Sequence, residues 1–418
     1  MKYRAIRGTK DILPCESSKW QSVEKTIHRM MHLWNYQEIR TPVFEATELF
    51  ARSIGKLTDI VQKEMYTFLD RSEASLTLKP EMTASVVRSY LQNNLGEDRP
   101  LVKVYYIAPM FRQERPQAGR LRQFHQFGAE AIGSQHPEVD AELIALNFSI
   151  YENLGIRNTE LRINSVGCEI CRPGYREILK RFLDPILPKL SAESQKRFQN
   201  NPLRILDSKD ESDQKLTENA PMIKDHLCSP CADHFRVLHE LLRNMGLEFK
   251  IDGRIVRGLD YYTKTAYEFI SPDLGSQDAL SGGGRYDLLV KEVGGKDTPA
   301  VGFAAGMERL LMVLGKQKHT FGKDPQPTVF LASTDEVGRA WTLQQALKLR
   351  TSGVACELDL LRRSLKAQMK EADRQKAKFV VIVGQKELNE RRATLRDMKS
   401  GAQEVVEFDR ILERLKTM

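Results

Sequence analysis

FRQERPQAGRLRQFHQFGAE, residues Phe111–Glu130, is the stretch of the chain that decides its fold. The apolar run LVKVYYI, 101–107, leads into it, and after an arginine-rich loop the chain returns in a second extended segment. Alternate side chains of a strand share one face, so Gln126, Gly128 and Glu130 lie together. Buried polar groups need partners, and Gly128 leaves room for close approach. The stretch therefore predicts a polar pocket built on a sheet.

Composition places the chain among globular proteins. It has 418 residues, of which 41% are hydrophobic and 29% charged, which is enough for two or three domains. It holds no run of eighteen apolar residues, and its first residues, MKYRAIRGTKDILP, lack an apolar secretory segment. We therefore expect no membrane partner. Six cysteines do not make a disulfide scaffold in a chain of this size, so we expect a reducing, cytoplasmic location.

The charge balance favours a polyanionic partner. The net charge is +8, and residues 326–418 hold 18 Lys and Arg against 13 Asp and Glu. The segment RRSLKAQMKEADRQKAK in that part is basic either because it is a solvated helix face or because it faces a polyanion. Many basic proteins bind no nucleic acid, so charge by itself leaves both alternatives open.

The order of helix and strand patterns indicates three parts. Residues 1–325 combine strands with amphipathic helices, and 168–245 within them is helical and charged, which indicates an insertion. Residues 316–327, KQKHTFGKDPQP, form a polar linker. Residues 326–418 alternate strand and helix, which predicts a small α/β domain.

Three local patterns give specific expectations. Helical spacing over 17–35 predicts a helix that starts at Ser17 or Ser18. EIRTPVFEATELF predicts a strand interrupted by Pro42, which belongs at an edge because proline cannot donate to a ladder. The pattern over 247–255 predicts a further strand.

The chain lacks the two common nucleotide-binding signatures. Neither G-x-x-x-x-G-K-[ST] nor a strand-linked G-x-G-x-x-G occurs, and SGGGRYD, 281–287, indicates a tight turn with room for backbone approach. Arginine forks can hold phosphates bidentately, and Arg112, Arg257 and Arg309 are candidates for this role. Each of them alone is equally consistent with a structural ion pair. Beside the polar pocket, they predict a nucleotide site.

Seven segments resemble one enzyme family, and its five motifs fall in family order. The opening stretch resembles motif 2 of the class II aminoacyl-tRNA synthetases, PAVGFAAGMERL resembles motif 3 and EIRTPVFEATELF resembles motif 1. RGLDYYTKTAYEF and LSGGGRYD resemble signatures peculiar to histidyl-tRNA synthetases, and YRAIRGTKDILP and LTLKPEMTASVVR also match that family. The resemblance spans essentially the whole chain.

The resemblance implies a fold and a set of partners. It implies an α+β catalytic domain over 1–325 with a mostly antiparallel sheet, the class II synthetase fold, a helical insertion at 168–245 near the tRNA acceptor region, and an α/β anticodon-binding domain over 326–418. It further implies a histidine–tRNA ligase that uses ATP with Mg²⁺ and acts on tRNA(His). The motif 1 edge strand implies a homodimer, because pairing across a two-fold axis covers the edge.

The resemblance also assigns residues to the ATP site. It implies that Arg112 contacts the α-phosphate, that Glu114 meets the adenine edge, that Phe124 stacks on the base and that Arg309 holds the γ-phosphate. Arg257 has the family's distinctive role as a second arginine on the α-phosphate. Arg112 and Arg257 are thus the implied catalytic residues, which act by electrostatic stabilisation and positioning.

The histidine site implied by the resemblance holds carboxylates and phenols. A ring that both donates and accepts needs a partner on each nitrogen, and an ammonium group favours nearby carboxylates. The implied histidine-binding residues are Glu81, Thr83, Gln126, Glu130, Tyr261, Tyr262 and Tyr286.

The loop inside motif 2 is implied to approach the acceptor end of the tRNA through Arg115, Gln117 and Arg120. His125 lies on the strand face opposite Gln126, and we interpret it as a structural residue.

Two other functions compete with the enzyme. The first is a catalytically silent paralogue that acts as a regulatory subunit of ATP phosphoribosyltransferase. Such paralogues generally lack the C-terminal domain and have eroded motifs, whereas Glu81, Arg112, Arg257 and Arg309 are all present here. The second is a tRNA-binding module without chemistry, which leaves the pocket unexplained.

Two Cys-x-x-Cys pairs form a separate pattern. Cys168 and Cys171, and then Cys228 and Cys231, have the spacing of a four-thiolate zinc site, with 56 residues between the pairs. That gap is longer than in zinc ribbons, and the family resemblance gives no general support for a metal. Buried cysteines and redox-active pairs are the alternatives. A structural zinc ion that clamps the insertion remains a hypothesis.

Overall fold

The computed structural model describes residues 3–55, 58, 60–117, 119–256, 259–275, 278–322 and 325–417. The chain divides into two compact units, Met1–Gly322 and Lys323–Met418. Among the described residues, none of the helices combines the length and the apolar character that crossing a bilayer requires.

The first unit is built on strands that are numbered here in chain order. They are β1 Gln37–Glu38, β2 Phe44–Ala46, β3 Tyr66–Leu69, β4 Ser75–Leu78, β5 Val102–Phe111, β6 Gln123–Ile132, β7 Glu160–Ser165, β8 Lys250–Ile251, β9 Thr263–Ile270, β10 Ala279–Arg285 and β11 Ala300–Gly306.

The α-helices of the first unit are α1 Pro14–Leu33, α2 Thr47–Ser53, α3 Thr83–Gln92, α4 Pro137–Asn153, α5 Cys171–Leu183, α6 Ala192–Asn200, α7 Glu211–Leu216, α8 Ser229–Asn244, α9 Leu289–Glu292 and α10 Met307–Lys316.

An eight-stranded sheet carries both halves of the opening stretch. Its order is β1-β5-β6-β11-β10-β9-β7-β8, and the pairs are antiparallel except β1 with β5 and β7 with β8. β5 and β6 pair from Val102 opposite Ile132 to Phe111 opposite Gln123, so the motif 2 loop joins neighbouring strands. A separate three-stranded sheet has the order β2-β4-β3.

The eight-stranded sheet has an apolar core on each face. On one face, Phe127 and Ala129 of β6 pack in a cluster with α1, α4, α8 and α10. On the other face, Ile132 of β6 joins a cluster with Val86 of α3 and the pocket tyrosines. The alternation that was predicted for β6 is therefore present, since successive side chains enter different cores.

Three local expectations differ from the structure in detail. α1 starts at Pro14, earlier than predicted, because proline suits the first turn of a helix, where its missing N–H is not needed. EIRTPVFEATELF forms β1, β2 and then α2, so the prediction of one interrupted strand is wrong at its end. Over 247–255 the strand β8 has only two residues, because a turn at Gly253 and Arg254 follows it.

The segment predicted as an insertion has its own small core and is also part of the main one. Tyr175 and Leu179 of α5 pack against Leu203 and Ile223 in a separate cluster. α8, which ends the segment, packs through Leu238 into the main core instead. The boundaries 168–245 therefore stay a prediction.

A buried ion pair fixes α4 to β10 next to the pocket. The Arg285 and Asp140 side chains are fully buried, and Arg285 Nε donates to Asp140 Oδ2 at 3.1 Å. Burial raises the pKa of Asp140, but the Arg285 guanidinium outweighs it and brings that pKa to about 2. Because Arg285 precedes Tyr286, this pair also positions a residue of the pocket.

The second unit is a five-stranded sheet with helices on both faces. Its strands are β12 Val329–Ser333, β13 Cys356–Leu358, β14 Phe379–Val383, β15 Arg392–Asp397 and β16 Gln403–Glu407, in the order β13-β12-β14-β15-β16. Its helices are α11 Glu336–Thr351, α12 Leu365–Arg374, α13 Gln385–Glu390 and α14 Ile411–Thr417. Separate apolar clusters cover its two faces, as the alternating pattern predicted.

Candidate active site

Glu130 is a carboxylate buried in the eight-stranded sheet, with 1% of the residue exposed. The Tyr286 hydroxyl donates to its Oε2 at 2.5 Å, and the Thr83 hydroxyl donates to its Oε1 at 2.8 Å. Burial raises the pKa of Glu130 to about 8, against the opposing effect of these two hydrogen bonds. A cation that binds beside Glu130 would therefore stabilise the ionised form of its carboxyl group.

Glu81 is a second buried carboxylate, and it caps α3. The backbone N–H groups of Thr83 and Ala84 donate to its two oxygens at 2.7 and 2.9 Å. Burial raises its pKa, although these backbone donors oppose the shift. The charge of Glu81 in turn raises the pKa of Glu130. Two carboxylates held this way favour a ligand that carries a positive charge.

Three tyrosines form an aromatic wall of the same pocket. The ring centroids of Tyr261 and Tyr262 lie 4.7 Å apart, and those of Tyr261 and Tyr286 lie 5.6 Å apart. Burial raises the pKa of Tyr261 and of Tyr286 well above the ordinary value, so their hydroxyls stay protonated. The structure thus brings together all the tyrosines that were predicted to bind histidine.

Gln126 lies on the β6 face of Glu130 and opens onto a neighbouring cavity of about 300 Å³. Its side-chain oxygen is buried and accepts no hydrogen bond from the described residues. A buried polar atom without a partner costs free energy, so this oxygen suits a donor on a ligand. Arg112, Glu114 and Phe124 line the same cavity.

Arg112 is held rigidly at the wall of this cavity. Its Nε donates to the carbonyl of Pro80 at 2.9 Å, and its guanidinium lies 5.3 Å from the centroid of the Phe124 ring. Its Nη1 lies 3.7 Å from Glu114 Oε1. The remaining N–H groups of the Arg112 guanidinium can donate to an anion, which is consistent with a phosphate contact.

Arg309 enters the cavity from the first turn of α10. It donates to the carbonyls of Gly119 and Ala279 at 3.1 and 2.8 Å. Burial lowers its pKa, and the nearby positive charge of Arg120 adds to the effect. An anionic ligand would stabilise the charged form of such a partly buried cation, because it offsets both the lost solvation and the repulsion from the neighbouring positive charges. The two described arginines of the predicted ATP site therefore face one cavity.

Four acidic and basic side chains of this cavity were missed by the sequence reasoning. Asp207 and Lys209 reach it from the segment between α6 and α7, and Glu268 and Asp278 line it from β9 and the start of β10. Glu268 lies within the quoted signature RGLDYYTKTAYEF, which is a signal that could have identified it. Nothing local marks Asp207 and Lys209, because a long-range fold contact brings them to the cavity.

The motif 2 loop exposes the residues that were predicted to meet tRNA. Arg115, Gln117 and Arg120 are all exposed, and Gln117 and Arg120 pair across a tight turn. Arg120 Nη1 also lies 3.2 Å from Glu114 Oε2, so the loop is tied to the cavity wall that carries Glu114. These placements leave the tRNA contacts as a prediction.

Two further predictions concern single residues. Arg257 lies outside the described residues, so its catalytic role stays a prediction. His125 lies on the other face of β6, where its backbone N–H donates to Glu308 and its ring lies edge-on to Trp20 at 5.0 Å. These contacts are those of a structural histidine.

Glycines make room for the buried carboxylate. A Cβ built on Gly302, which pairs with Glu130 across β11 and β6, would lie 1.6 Å from Glu130 Oε2. SGGG lies within strand β10, so the predicted tight turn is wrong, but the predicted close backbone approach is confirmed. A Cβ on Gly283 would lie 2.5 Å from the Gly302 carbonyl oxygen.

The four paired cysteines converge away from the pocket. Their sulfur atoms all lie within 4.8 Å of one another, and this is the metal-ligand cluster found among the described residues. Cys15 is exposed and Cys356 is buried, and both lie apart from this cluster.

The antiparallel sheet that carries motifs 2 and 3, with an arginine-lined cavity on it, defines a class II aminoacyl-tRNA synthetase. A family model described as histidyl-tRNA synthetase matches residues 8–310, and one described as an anticodon binding domain matches residues 333–418. The chain belongs to the histidyl-tRNA synthetase family. The predicted fold class and family resemblance are thereby confirmed.

Curated relatives and solved structures agree with this assignment. The chain is 47% identical to a histidine–tRNA ligase of Acetivibrio thermocellus over 100% of both chains, and 46% identical to one of Syntrophotalea carbinolica over 99% of this chain and 98% of the relative. It matches the apo histidyl-tRNA synthetase of S. aureus with a TM-score of 0.84 and 36% identity, covering 99% of this chain and 100% of that one. A structure from Nostoc sp. PCC 7120, with a TM-score of 0.69 and 22% identity, covering 100% of this chain and 99% of that one, supports the fold.

Replacement of Gly302 by alanine is expected to displace the Glu130 carboxylate, because the new methyl group would overlap Oε2. If the carboxylate moves by about 1 Å to relieve this overlap, histidine binding should weaken by about 100-fold. Isothermal calorimetry with histidine measures the effect. Gly315→Ala is the matched control, because Gly315 lies in α10 with nothing within 4 Å of its Cβ position. Equal affinities of the two variants would contradict the role of Gly302.

The raised pKa of Glu130 predicts that histidine binding depends on pH. Below about 8 the free carboxyl is mainly protonated, and an ammonium ligand favours its ionised form, so binding releases a proton. Affinity should rise by up to about tenfold per pH unit on approach to that value and level off above it. Calorimetry in buffers of different ionisation enthalpy counts the released protons. Glu130→Gln should abolish this release, and an unchanged count in that variant would refute the assignment.

Proposed function

We propose that this chain is a histidine–tRNA ligase, which forms histidyl-adenylate from histidine and ATP and transfers the histidyl group to the 3′ end of tRNA(His). The observation that carries the proposal is the continuity of two sites on one sheet face. Glu81 and Glu130 lie in a buried pocket that suits a cationic amino acid, and Gln126 joins it to the cavity of Arg112 and Arg309. The relatives that match the whole chain bear the same name.

The activation step needs positioning and charge stabilisation. A carboxylate oxygen of histidine attacks the α-phosphorus of ATP, a P–O bond forms, and the bond to pyrophosphate breaks. Arg112 and Arg257 balance the charge that gathers on the α-phosphate, and Arg309 holds the leaving pyrophosphate through the γ-phosphate. No protein nucleophile is required, since the two substrates supply both reacting atoms.

Histidine recognition rests on the buried hydrogen-bonding groups. Glu81, Thr83 and Glu130 receive the α-ammonium group, while Glu130, Tyr262 and Tyr286 surround the imidazole. The Tyr286 hydroxyl donates to the Glu130 carboxylate, so both groups are already oriented before histidine binds. An apolar analogue of histidine would leave these groups unpaired. Sites of this kind discriminate against such analogues by a factor on the order of 10⁴–10⁵.

Carboxylates in the ATP cavity fit a magnesium ion. Glu268 and Asp278 line the cavity with the arginines, and hard oxygen ligands together with phosphates suit Mg²⁺. When bound, the ion would neutralise phosphate charge and orient the leaving group. Glu268 and Asp278 are thus the residues of this chain that would hold it.

The transfer step involves both units of the chain. A hydroxyl of the terminal ribose attacks the carbonyl carbon of the adenylate, an ester bond forms, and AMP leaves. Exposed Arg115, Gln117 and Arg120 of the motif 2 loop are available to the acceptor end. The second unit matches the anticodon binding domain model and carries the basic excess, which supports a role in reading the tRNA. We place the reaction in the cytoplasm.

The three-stranded sheet supports a homodimer. β2, which follows Pro42, is an edge strand of that sheet. Val43, Phe44, Phe68 and Leu69 are 40 to 66% exposed there, and such apolar patches typically mark interfaces. The dimer would cover both the edge and the patch.

A dimer predicts a solution mass of about twice 47.8 kDa by light scattering. Phe44→Asp should shift the mass towards the monomer, because it places a charge in the covered patch. Val405→Asp, at a valine that is 66% exposed in the second unit, is the control and should leave the mass unchanged. A wild-type monomer would rule the dimer out.

A silent regulatory paralogue is the competing function. A structure titled as an ATP phosphoribosyltransferase regulatory subunit/histidyl-tRNA synthetase from Bacillus halodurans C matches with a TM-score of 0.66 at 22% identity, which indicates a shared fold. The chain differs from the expected paralogue in having the second unit and in keeping both described arginines at one cavity. Catalysis is therefore the better supported function.

ATP–pyrophosphate exchange separates these functions. We expect exchange that requires a divalent cation and histidine, and that the other standard amino acids do not support. Arg257→Ala should reduce the rate by about 100-fold or more, since it removes a charge that acts in the transition state. Arg236→Ala, at an exposed arginine paired with Glu240 on α8, is the control. Histidine binding without exchange would favour the paralogue, and a near-normal Arg257→Ala rate would remove the role of that residue.

A further inference from the structure

The four cysteines of the two Cys-x-x-Cys pairs form one compact sulfur cluster. Cys168 Sγ lies 3.8 Å from Cys171 Sγ and 3.7 Å from Cys228 Sγ, and Cys171 Sγ lies 3.9 Å from Cys231 Sγ. All six separations are below 4.8 Å. The fold therefore brings the two cysteine pairs together in space although 56 residues lie between them in the sequence.

These separations match the edges of a tetrahedron around a metal. With zinc–sulfur bonds of about 2.3 Å, the edges of a regular tetrahedron are about 3.8 Å. A disulfide instead requires sulfur atoms about 2.05 Å apart, and these cysteines are free. The contacts also run both within and between the two pairs, so the cluster does not divide into two separate redox pairs.

We propose that Cys168, Cys171, Cys228 and Cys231 bind one structural zinc ion, which fastens the inserted segment at its base and supports the histidine pocket through Arg172. Each cysteine coordinates as a thiolate, so loading of Zn²⁺ releases up to four thiol protons. The four thiolates fill the coordination sphere, which leaves no open position for a substrate and makes the site structural.

Backbone groups around the cluster are arranged for sulfur ligands. The N–H of Cys168 donates to Cys171 Sγ at 3.1 Å, and the N–H of Ile170 donates to Cys168 Sγ at 3.4 Å. Outer hydrogen bonds of this kind orient ligands and moderate their charge. Cys171 begins α5 and Cys231 lies in the first turn of α8, so two helix N-termini also face the negative cluster.

The position of the cluster assigns it a mechanical role. Cys168 and Cys171 follow β7 where the chain leaves the sheet, and Cys228 and Cys231 lie where α8 returns to the main core. The ion would therefore join the entry and the exit of the segment. That segment carries Asp207 and Lys209 to the ATP cavity.

Arg172 connects the cluster to the histidine pocket. It follows Cys171 directly, its Nε donates to the carbonyl of Val166 at 2.9 Å, and its Nη2 donates to the carbonyl of Tyr262. Tyr262 belongs to the aromatic wall of the pocket. A fixed Cys171 thus fixes the guanidinium that holds the backbone of a pocket residue. This part of the inference rests on the proposed function.

Metal analysis of the full-length protein, purified without added metal or chelator, tests the site. We expect about one zinc per chain, and we expect each of Cys168→Ser and Cys231→Ser to lose most of it, because a four-thiolate site needs every ligand. Cys15→Ser and Cys356→Ser are matched controls that should keep the zinc. Four titratable thiols without metal, two disulfides, or iron as the resident metal would each overturn the proposal.

Spectroscopy keeps the test independent of folding defects in the variants. Wild-type protein stripped with a thiol-reactive mercurial, reduced and reloaded with Co²⁺ should show the thiolate charge-transfer and tetrahedral ligand-field bands of an S₄ site. Bands of an octahedral cobalt ion would contradict the proposed ligand set.

Arg172→Ala tests the connection to the pocket while it leaves all four cysteines in place. We expect the zinc content to stay at about one per chain and the KM for histidine to rise about tenfold, with a smaller change in the KM for ATP. Arg176→Ala, on the same helix, is the control. An unchanged KM for histidine in a zinc-loaded Arg172→Ala protein would overturn the connection. Because the zinc content is measured without activity, a failure of the proposed function would remain distinguishable.

Discussion

The rest of the site depends on one constraint, a carboxylate buried in the middle of an apolar sheet. Glu130 is tolerated there because Gly302 opposite it has no side chain, and because two hydroxyls donate to its oxygens. Burial still raises its pKa to about 8, so the free pocket is poised to gain from a cation. A buried carboxylate lowers the stability of the fold, and such groups are common at functional sites.

The cavity next to this pocket is also lined by fixed charged groups, but those held by backbone carbonyls carry positive charge. The chain has no phosphate-loop signature, and two partly buried arginines, Arg112 and Arg309, line the cavity instead. Arg112 and Arg309 are fixed by backbone carbonyls, so their forks are already oriented before a phosphate arrives. Preorganised charge of this kind stabilises a transition state without reorganisation. A negative pocket and a positive cavity thus adjoin on one sheet, and Gln126 stands between them.

Residues whose positions depend on local contacts could be predicted from the sequence. Residues placed by contacts between distant segments could not. Period-two alternation in β6 was enough to separate Gln126 and Glu130 from His125, because a strand fixes its own side-chain directions. Family motifs supplied Glu81, whose carboxylate caps the helix that follows it. Asp207 and Lys209 carried no local signal, and their position depends on how a distant segment folds back over the cavity.

The sequence by itself determined the class of the protein, its family and the chemical types of its pocket residues, because these reside in local motifs and strand periodicity. The tertiary structure decided which residues meet. It placed Gly302 against Glu130 and made SGGG part of a strand. It also brought the sulfur atoms of two cysteine pairs, with 56 residues between the pairs, to within 4.8 Å of one another. The physical reason is that such contacts arise from packing between distant segments, on which local pattern places no constraint.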